Sequence, residues 1–325
     1  MVMLMNSRKL VADTIRGNNN GVTPVYGWVK ENLSDAINKR FGSVENFEDH
    51  YRFDLAHIFG GPSPFSNVEL KKRMESGAPI LPEDLLSYAL SDPDDSPAYD
   101  GVRAQLRHHG EERGRFCYIQ TPGFFECYNG IFGIENHLCY LALYPDEIYE
   151  LYERQLAWTK RFAHNMIDLG ADMIHISDDW GAQNGMMFSK DMWGRLIRPH
   201  HAELIAEVKR RGTFVSLHSD GNNMAVLPEF HKMGYDLFHP WQESSNMPYE
   251  TYLRSHADEF AIMGGLCIQT TLGFGDFARL ESEIERVFGL LKGKRWIFCT
   301  THYVQNHCGI DELVFAFDKA VSLAR

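Results

Sequence analysis

Two kinds of stretch alternate along the chain. Short, mostly apolar runs are separated by longer segments in which apolar residues recur every three or four positions. The first kind reads as buried parallel strand, and the second as amphipathic helix with one face on a core. Strands are expected at 23–28, 54–62 (ending in a glycine-rich turn), 116–121, 171–177, 213–217, 236–239, 260–264 and 296–300. Helices are expected at 6–17, in two pieces over 33–53, and at 145–169, 190–211, 224–233, 249–257, 277–291 and 311–323. Residues 63–114 are rich in Pro, Ser, Asp and Gly, with helix-like pieces near 65–76 and 82–90, and read as an insertion over one end of the core. After the third strand comes an aromatic loop, Pro122-Gly123-Phe124-Phe125-Glu126-Cys127-Tyr128.

No internal repeat or low-complexity linker interrupts this alternation. Eight strand-helix units predict an α/β fold, a (β/α)8 barrel forming a single domain over 1–325, with an open doubly wound sheet as the alternative. In such a barrel, chemistry sits just past the C-terminal ends of the strands. The most informative of these ends is Phe214-Val215-Ser216-Leu217-His218-Ser219-Asp220-Gly221-Asn222. A buried strand there delivers an imidazole and a carboxyl spaced one residue apart, hence on the same side. The other strand ends supply Tyr26 and Trp28, then His57, then Gln120 with Phe124, Phe125 and Glu126. Later ones add Asp178, Asp179 and Trp180, then Trp241, Gln242 and Glu243, then Gln269, and finally His302, His307 and Cys308.

Each group also has a structural reading. Asp178-Asp179 can cap the next helix or make an Asx turn. If they serve a site, adjacent strand residues point opposite ways, so one faces the barrel mouth and the other packs outward. His218 can be a hydrogen-bonded core histidine, and the aromatic group around Phe124 can be core rather than pocket. The stretch from Cys299 to Cys308 is dense in metal-ligand types but lacks the spacing of a structural zinc site.

With 325 residues, 44% hydrophobic and 23% charged, the composition is that of a soluble globular protein. A net charge of −12 without any lysine or arginine run argues against nucleic acid, which needs a basic face. No apolar segment is long enough for a membrane span and no secretory signal is evident. Six cysteines without a CxxC pair suit reduced thiols, and so a cytoplasmic location.

At Asp178-Asp179-Trp180-Gly181 through Phe188, at Arg198-Pro199 and at Leu217-His218-Ser219-Asp220-Gly221-Asn222, the chain resembles the uroporphyrinogen decarboxylase superfamily. The likeness continues through His239-Pro240-Trp241-Gln242, Gly264-Gly265 and Thr301-His302-Tyr303-Val304-Gln305. It implies a (β/α)8 barrel and two main branches. True decarboxylases clamp porphyrinogen carboxylates with arginines of an N-terminal loop, whereas the corresponding stretch here, 24–30, contains none. The other branch contains cobamide-dependent methyltransferases, and the chain is most like these. Thiol-directed members bind zinc through a His-x-Cys pair and a distal cysteine. Here His218 matches, Asp220 stands at the first cysteine and His302 aligns with the distal one.

His218, Asp220 and His302 are therefore expected either to hold a metal, with zinc the candidate ion and Cys299, His307 and Cys308 as alternative ligands, or to supply a protonated carboxyl or imidazole that gives its proton to the leaving oxygen directly. This harder set suits an oxygen leaving group. Catalytic roles are expected at His218, Asp220, Asp178, Asp179 and His302. A methoxyaromatic donor is expected against Tyr26, Trp28, His57, Phe124, Phe125, Glu126, Trp180, Trp241 and Gln242. The corrinoid (cobalamin) is expected on a separate corrinoid protein, since the chain has no cobalamin-binding Asp-x-His-x-x-Gly stretch. A homodimer is implied by the resemblance alone. Uroporphyrinogen decarboxylase-like lyase activity and methyl transfer to a thiol or folate are the alternatives.

Overall fold

The computed structural model describes residues 6–30 and 32–325. Its strands are β1 (Leu55–Ile58), β2 (Phe116–Pro122), β3 (Met173–Ser177), β4 (Gly181–Ala182), β5 (Gly185–Met186), β6 (Phe214–His218), β7 (Leu237–His239), β8 (Ala261–Leu266) and β9 (Trp296–Thr300). The short β4 and β5 pair antiparallel with each other. The other seven, each leading into helix, are the strands of an α/β fold of the (β/α)8 type.

The expected strand at 23–28 shrinks to a single parallel bridge between Val25 and Phe298. Pro24 has no N–H to give. The Val25 N–H goes to the Asp54 carboxylate at 2.9 Å and the Trp28 N–H to the Thr300 hydroxyl at 3.0 Å. Side chains thus take the donors that a longer ladder would use.

Contacts gather the chain into two compact units. One comprises 6–56, His109–Phe116 and Asp236–Arg325. In it β7, β8 and β9 run parallel, with Phe238 opposite Ile262 and Leu266 opposite Thr300. Helices Phe277–Leu291 and Ile310–Ala324 pack together, burying Leu280, Ile284, Val287, Leu313 and Phe317. Buried Asp54 accepts from the Ser7 hydroxyl at 2.7 Å as well as from Val25, so one carboxylate ties the first helix to the first bridge.

The second unit comprises His57–His108 and Cys117–Tyr235. Its parallel strands β2, β3 and β6 are in register, so Pro122 lies opposite Ser177 and Ser177 opposite His218. Ile174, Ile176, Val215 and Leu217 are fully buried. Each such side chain contributes about 1.5–3 kcal/mol relative to exposure. Because the strands end level, the residues just past them (Gly123, Asp178 and Ser219) start from one edge.

One expectation changes in this unit: the aromatic stretch after β2 is not a loop but enters a helix, Phe125–Phe132, followed by another, Ile134–Leu143. In the insertion, helices Val68–Glu75 and Pro82–Leu86 stand where helix-like pieces were expected, and Asp100–Leu106 is a third. Helix Pro145–Asp168 holds it: Arg154 donates to the Leu86 and Tyr88 carbonyls, and the Trp158 indole N–H to that of Ser91.

The expected helix 190–211 carries a π-helical turn at Trp193–Ile197 before it continues as Arg198–Arg210. Pro199 cannot donate to the Arg195 carbonyl, and the Arg198 N–H bonds back to Trp193 instead. The continuation carries His200 and His201, both buried. No helix among the described residues is long and apolar enough to cross a membrane.

Candidate functional site

The adjacent aspartates at the end of β3 part company. Asp178 is fully buried and takes four donors. Its Oδ1 accepts the backbone N–H groups of Phe125 (2.9 Å) and Glu126 (2.7 Å), which open helix Phe125–Phe132. Its Oδ2 accepts the Trp180 indole N–H at 2.9 Å and pairs with His201 Nε2 at 2.7 Å. A carboxylate so placed meets the unsatisfied donors and the positive end of a helix. Gly123 is required beside it, because a Cβ there would lie 2.2 Å from Asp178 Cβ.

Asp179 points the other way. Its Oδ1 accepts the Asp220 backbone N–H at 2.8 Å and stands 3.7 Å from His218 Nε2. An Asp220 carboxyl oxygen is 3.9 Å from the same nitrogen. The loop that carries Asp220 is fixed by Asn223, whose amide donates to the Ser219, Asp220 and Gly221 carbonyls. The Ser219 hydroxyl accepts the Trp180 N–H at 2.8 Å and joins the two strand ends.

Glu126 enters this group through the Ser177 hydroxyl, which donates to it at 2.8 Å. Burial, then the charge of Asp179, pushes the Glu126 carboxyl up to about 7, against the pull of the Ser177 hydrogen bond. Burial, followed by the charges of Asp179 and Glu126, raises Asp220 to about 8. Both shifts have the same origin: carboxyls gathered in a partly desolvated place cannot all be ionised cheaply. Around neutral pH the cluster holds protons on carboxyl oxygens, as a general acid requires.

One ligand atom each from Asp179, His218 and Asp220 lies within 4.8 Å of the others. Two carboxylate oxygens and an imidazole nitrogen fit a divalent ion such as zinc. Two of these three are in the set expected from sequence, with Asp179 as the third.

The remaining candidates are placed as follows. In the same unit, the His57 ring stacks on Tyr118 at 4.4 Å. Phe124, Phe125 and Trp180 are fully buried among protein neighbours: Phe124 against His201, Phe125 on His137, and Trp180 against Trp193 and His201. In the other unit, Trp28 lies 4.5 Å from both His239 and Tyr303 and 6.3 Å from His302. His302 Nδ1 is also 3.2 Å from the Gln305 amide. Tyr26 packs edge-on against Phe53, Trp241 is buried against Tyr252, and Gln242 is buried. Cys299 is fully buried, and burial drives its thiol upward. His307 Nε2 is 3.0 Å from the Ile268 carbonyl, and the Cys308 thiol faces the Leu272 carbonyl at 3.7 Å.

Sequence reasoning did not single out Ser177, Ser219, Asn223 or His201. Asn223 follows directly on the stretch chosen, whereas His201 lies within a helix and carries no local signal of its partner.

Comparison with known proteins adds the lineage. No curated protein sequence matches the chain. A methyltransferase from Methanosarcina mazei superposes with a TM-score of 0.70 at 12% identity, covering 97% of this chain and 98% of that one. A B12-independent methionine synthase from Shewanella sp. W3-18-1, in complex with selenomethionine, covers 69% of this chain and 65% of its own at 12% identity and a TM-score of 0.48. The sequence model of the uroporphyrinogen decarboxylase (URO-D) family matches residues 129–320, more than half of the length. With its parallel strands and its acids at the strand ends, the chain belongs to the uroporphyrinogen decarboxylase family.

Proposed function

We propose that this protein is a methyltransferase that takes a methyl group from a small O-methylated, methoxyaromatic donor and passes it to the cobalt of a corrinoid carried by a separate protein. The observation that carries this reading is the placement of Asp179 and Asp220 beside His218, with Glu126 held next to them by Ser177 and two of the carboxyls raised to about 7 and 8. Sharing a fold with the Methanosarcina mazei methyltransferase supports the reaction class.

A methyl ether is a poor leaving group unless its oxygen is protonated or bound to a cation as the methyl carbon departs. Glu126 and Asp220 are the proton donors we assign to that oxygen. The oxygen–methyl bond breaks, the oxygen keeps the bonding pair and takes the proton, and the methyl group leaves without that pair, which the reduced cobalt of the partner protein would replace from its own electrons. Asp179, anchored on the Asp220 N–H, favours the protonated form of the neighbouring acids through its charge and stands 3.7 Å from His218 Nε2. A divalent ion held by Asp179, His218 and Asp220 would supply Lewis acidity at the same oxygen.

The test mixes the protein with a reduced corrinoid protein and a panel of methoxyaromatics, reading methyl transfer from the corrinoid's absorption spectrum. Donor-dependent transfer is expected, and Glu126→Gln and Asp220→Asn should each lower kcat on the order of 10²-fold or more. Metal analysis of protein purified without chelator separates the two forms of the mechanism. A stoichiometric ion lost in Asp220→Asn assigns the Lewis-acid role, and activity unchanged by chelation assigns the proton donors alone. If no donor is demethylated while uroporphyrinogen is decarboxylated, the proposal fails.

A further inference from the structure

We propose that His201 is a positioning residue for the site: through Asp178 it sets the backbone from which both Glu126 and Asp179 project. This deepens the proposed reaction and rests on that reading for its kinetic consequence only.

A buried chain runs from Tyr235 to the helix start. The Tyr235 hydroxyl is 2.6 Å from His201 Nδ1, His201 Nε2 is 2.7 Å from Asp178 Oδ2, and Asp178 Oδ1 accepts from Phe125 and Glu126. Asp178 Oδ2 also accepts from the Trp180 indole, so it is the acceptor of the His201 contact and Nε2 gives it a hydrogen, while the Tyr235 hydroxyl engages the other ring nitrogen. His201 is fully buried and Tyr235 almost fully.

What Asp178 holds is specific to the acids. The N–H groups of Phe125 and Glu126 belong to the first turn of their helix and have no intrahelical acceptor. Their protection depends on Asp178 alone, and one of them is the amide of Glu126 itself. Asp179 is the next residue in the chain, and the Asp178 N–H is fixed at 2.9 Å on the His218 carbonyl. One carboxylate therefore aligns the proton donor and the anion that faces His218. Lacking His201, that carboxylate would lose a charge-assisted bond and keep a second oxygen held only by Trp180.

Amide hydrogen exchange tests this without reference to activity. In His201→Leu, exchange at Phe125 and Glu126 should accelerate about tenfold or more relative to the amides of β3, and His201→Gln, which keeps a donor near the Nε2 position, should restore most of the protection. Tyr235→Phe removes only the hydroxyl that orients the imidazole and should shift the same two amides in the same direction. It decides the matter if His201→Leu does not fold. Unchanged exchange at Phe125 and Glu126, or an equal acceleration throughout the unit, would overturn the proposal. Where the wild type transfers methyl groups, His201→Leu should lower kcat about tenfold or more with KM nearly unchanged, and an unaffected kcat would equally overturn it. Should the wild type transfer none, the exchange measurement still stands.

Discussion

His137 is a residue whose protonation state is set by burial. Its ring is fully enclosed, with Nδ1 2.8 Å from the Asn129 amide oxygen and Nε2 2.9 Å from the Tyr152 hydroxyl. Burial pushes its pKa down to about 4, with the charge of Asp178 pulling weakly the other way. Burial also holds the Tyr152 phenol well above its usual value, so Tyr152 donates to Nε2 and only Nδ1 carries a hydrogen. The unfolded chain takes up a proton at this histidine below about 6.5, while the folded chain refuses it until about 4. Stability is therefore fully present above 6.5 and is lost as pH falls toward 4, by about 3 kcal/mol at the bottom of the window. Urea unfolding at pH 7 and pH 4.5 should record the drop, and His137→Gln should flatten it by most of that amount. An identical pH dependence in the variant would count against the assignment. The same buried layer explains why Phe124, Phe125 and Trp180 are core: their rings pack around the imidazoles and the carboxylate that fix the helix start, and little of them is left for a ligand.

At the scale of elements, the helix Phe125–Phe132 is the instructive case. Its segment reads as a loop because glycine and consecutive aromatics precede it and no Ser, Thr, Asp or Asn stands at its start. The cap is Asp178, more than fifty residues on, so the signal exists only after folding. His201 is hidden for the same reason. By contrast, the opposite orientations of Asp178 and Asp179 were legible from strand alternation. The β4–β5 hairpin was not, because its strands are two residues each. It nonetheless braces the site: the Asn222 N–H donates to the Ala182 carbonyl at 2.8 Å, and Gly221 adopts φ +76° where the two backbones meet. A Cβ at Gly181 would lie 2.3 Å from the Asp220 carbonyl oxygen, so Gly181→Ala must push the two loops apart. We expect a loss of about 1–3 kcal/mol and a larger fractional loss of activity, because the displaced residue is the one carrying a site carboxyl. Thermal melting alongside kcat checks this. A variant as active as the wild type would show that the close approach does not position Asp220.

For the molecule as a whole, the alternation of apolar runs with helical periodicity was enough to give the fold class, because parallel strands buried on both faces leave a continuous apolar signature. The assignment of polar groups to site or scaffold was not available at that level, since it depends on which donor each carboxylate meets. Charge at this scale bears on the substrate. The chain carries −12 overall with every Asp and Glu counted as ionised, and Asp179 and Asp220 flank one imidazole at the candidate site. The stretch 24–30 offers a single cation, Lys30, which lies 3.7 Å from the Glu48 carboxylate. A porphyrinogen polycarboxylate would meet like charge at long range, and the stretch 24–30 offers it no guanidinium fork. Calorimetric titration with such a polycarboxylate at low ionic strength should show no binding tighter than about 1 mM, and raising the salt should not weaken what binding there is, since screening relieves repulsion. A neutral methoxyaromatic escapes this penalty and should bind with little dependence on salt. Micromolar binding of the polycarboxylate, weakened by salt, would mean that cationic contacts exist for it and that the acid cluster serves a decarboxylase.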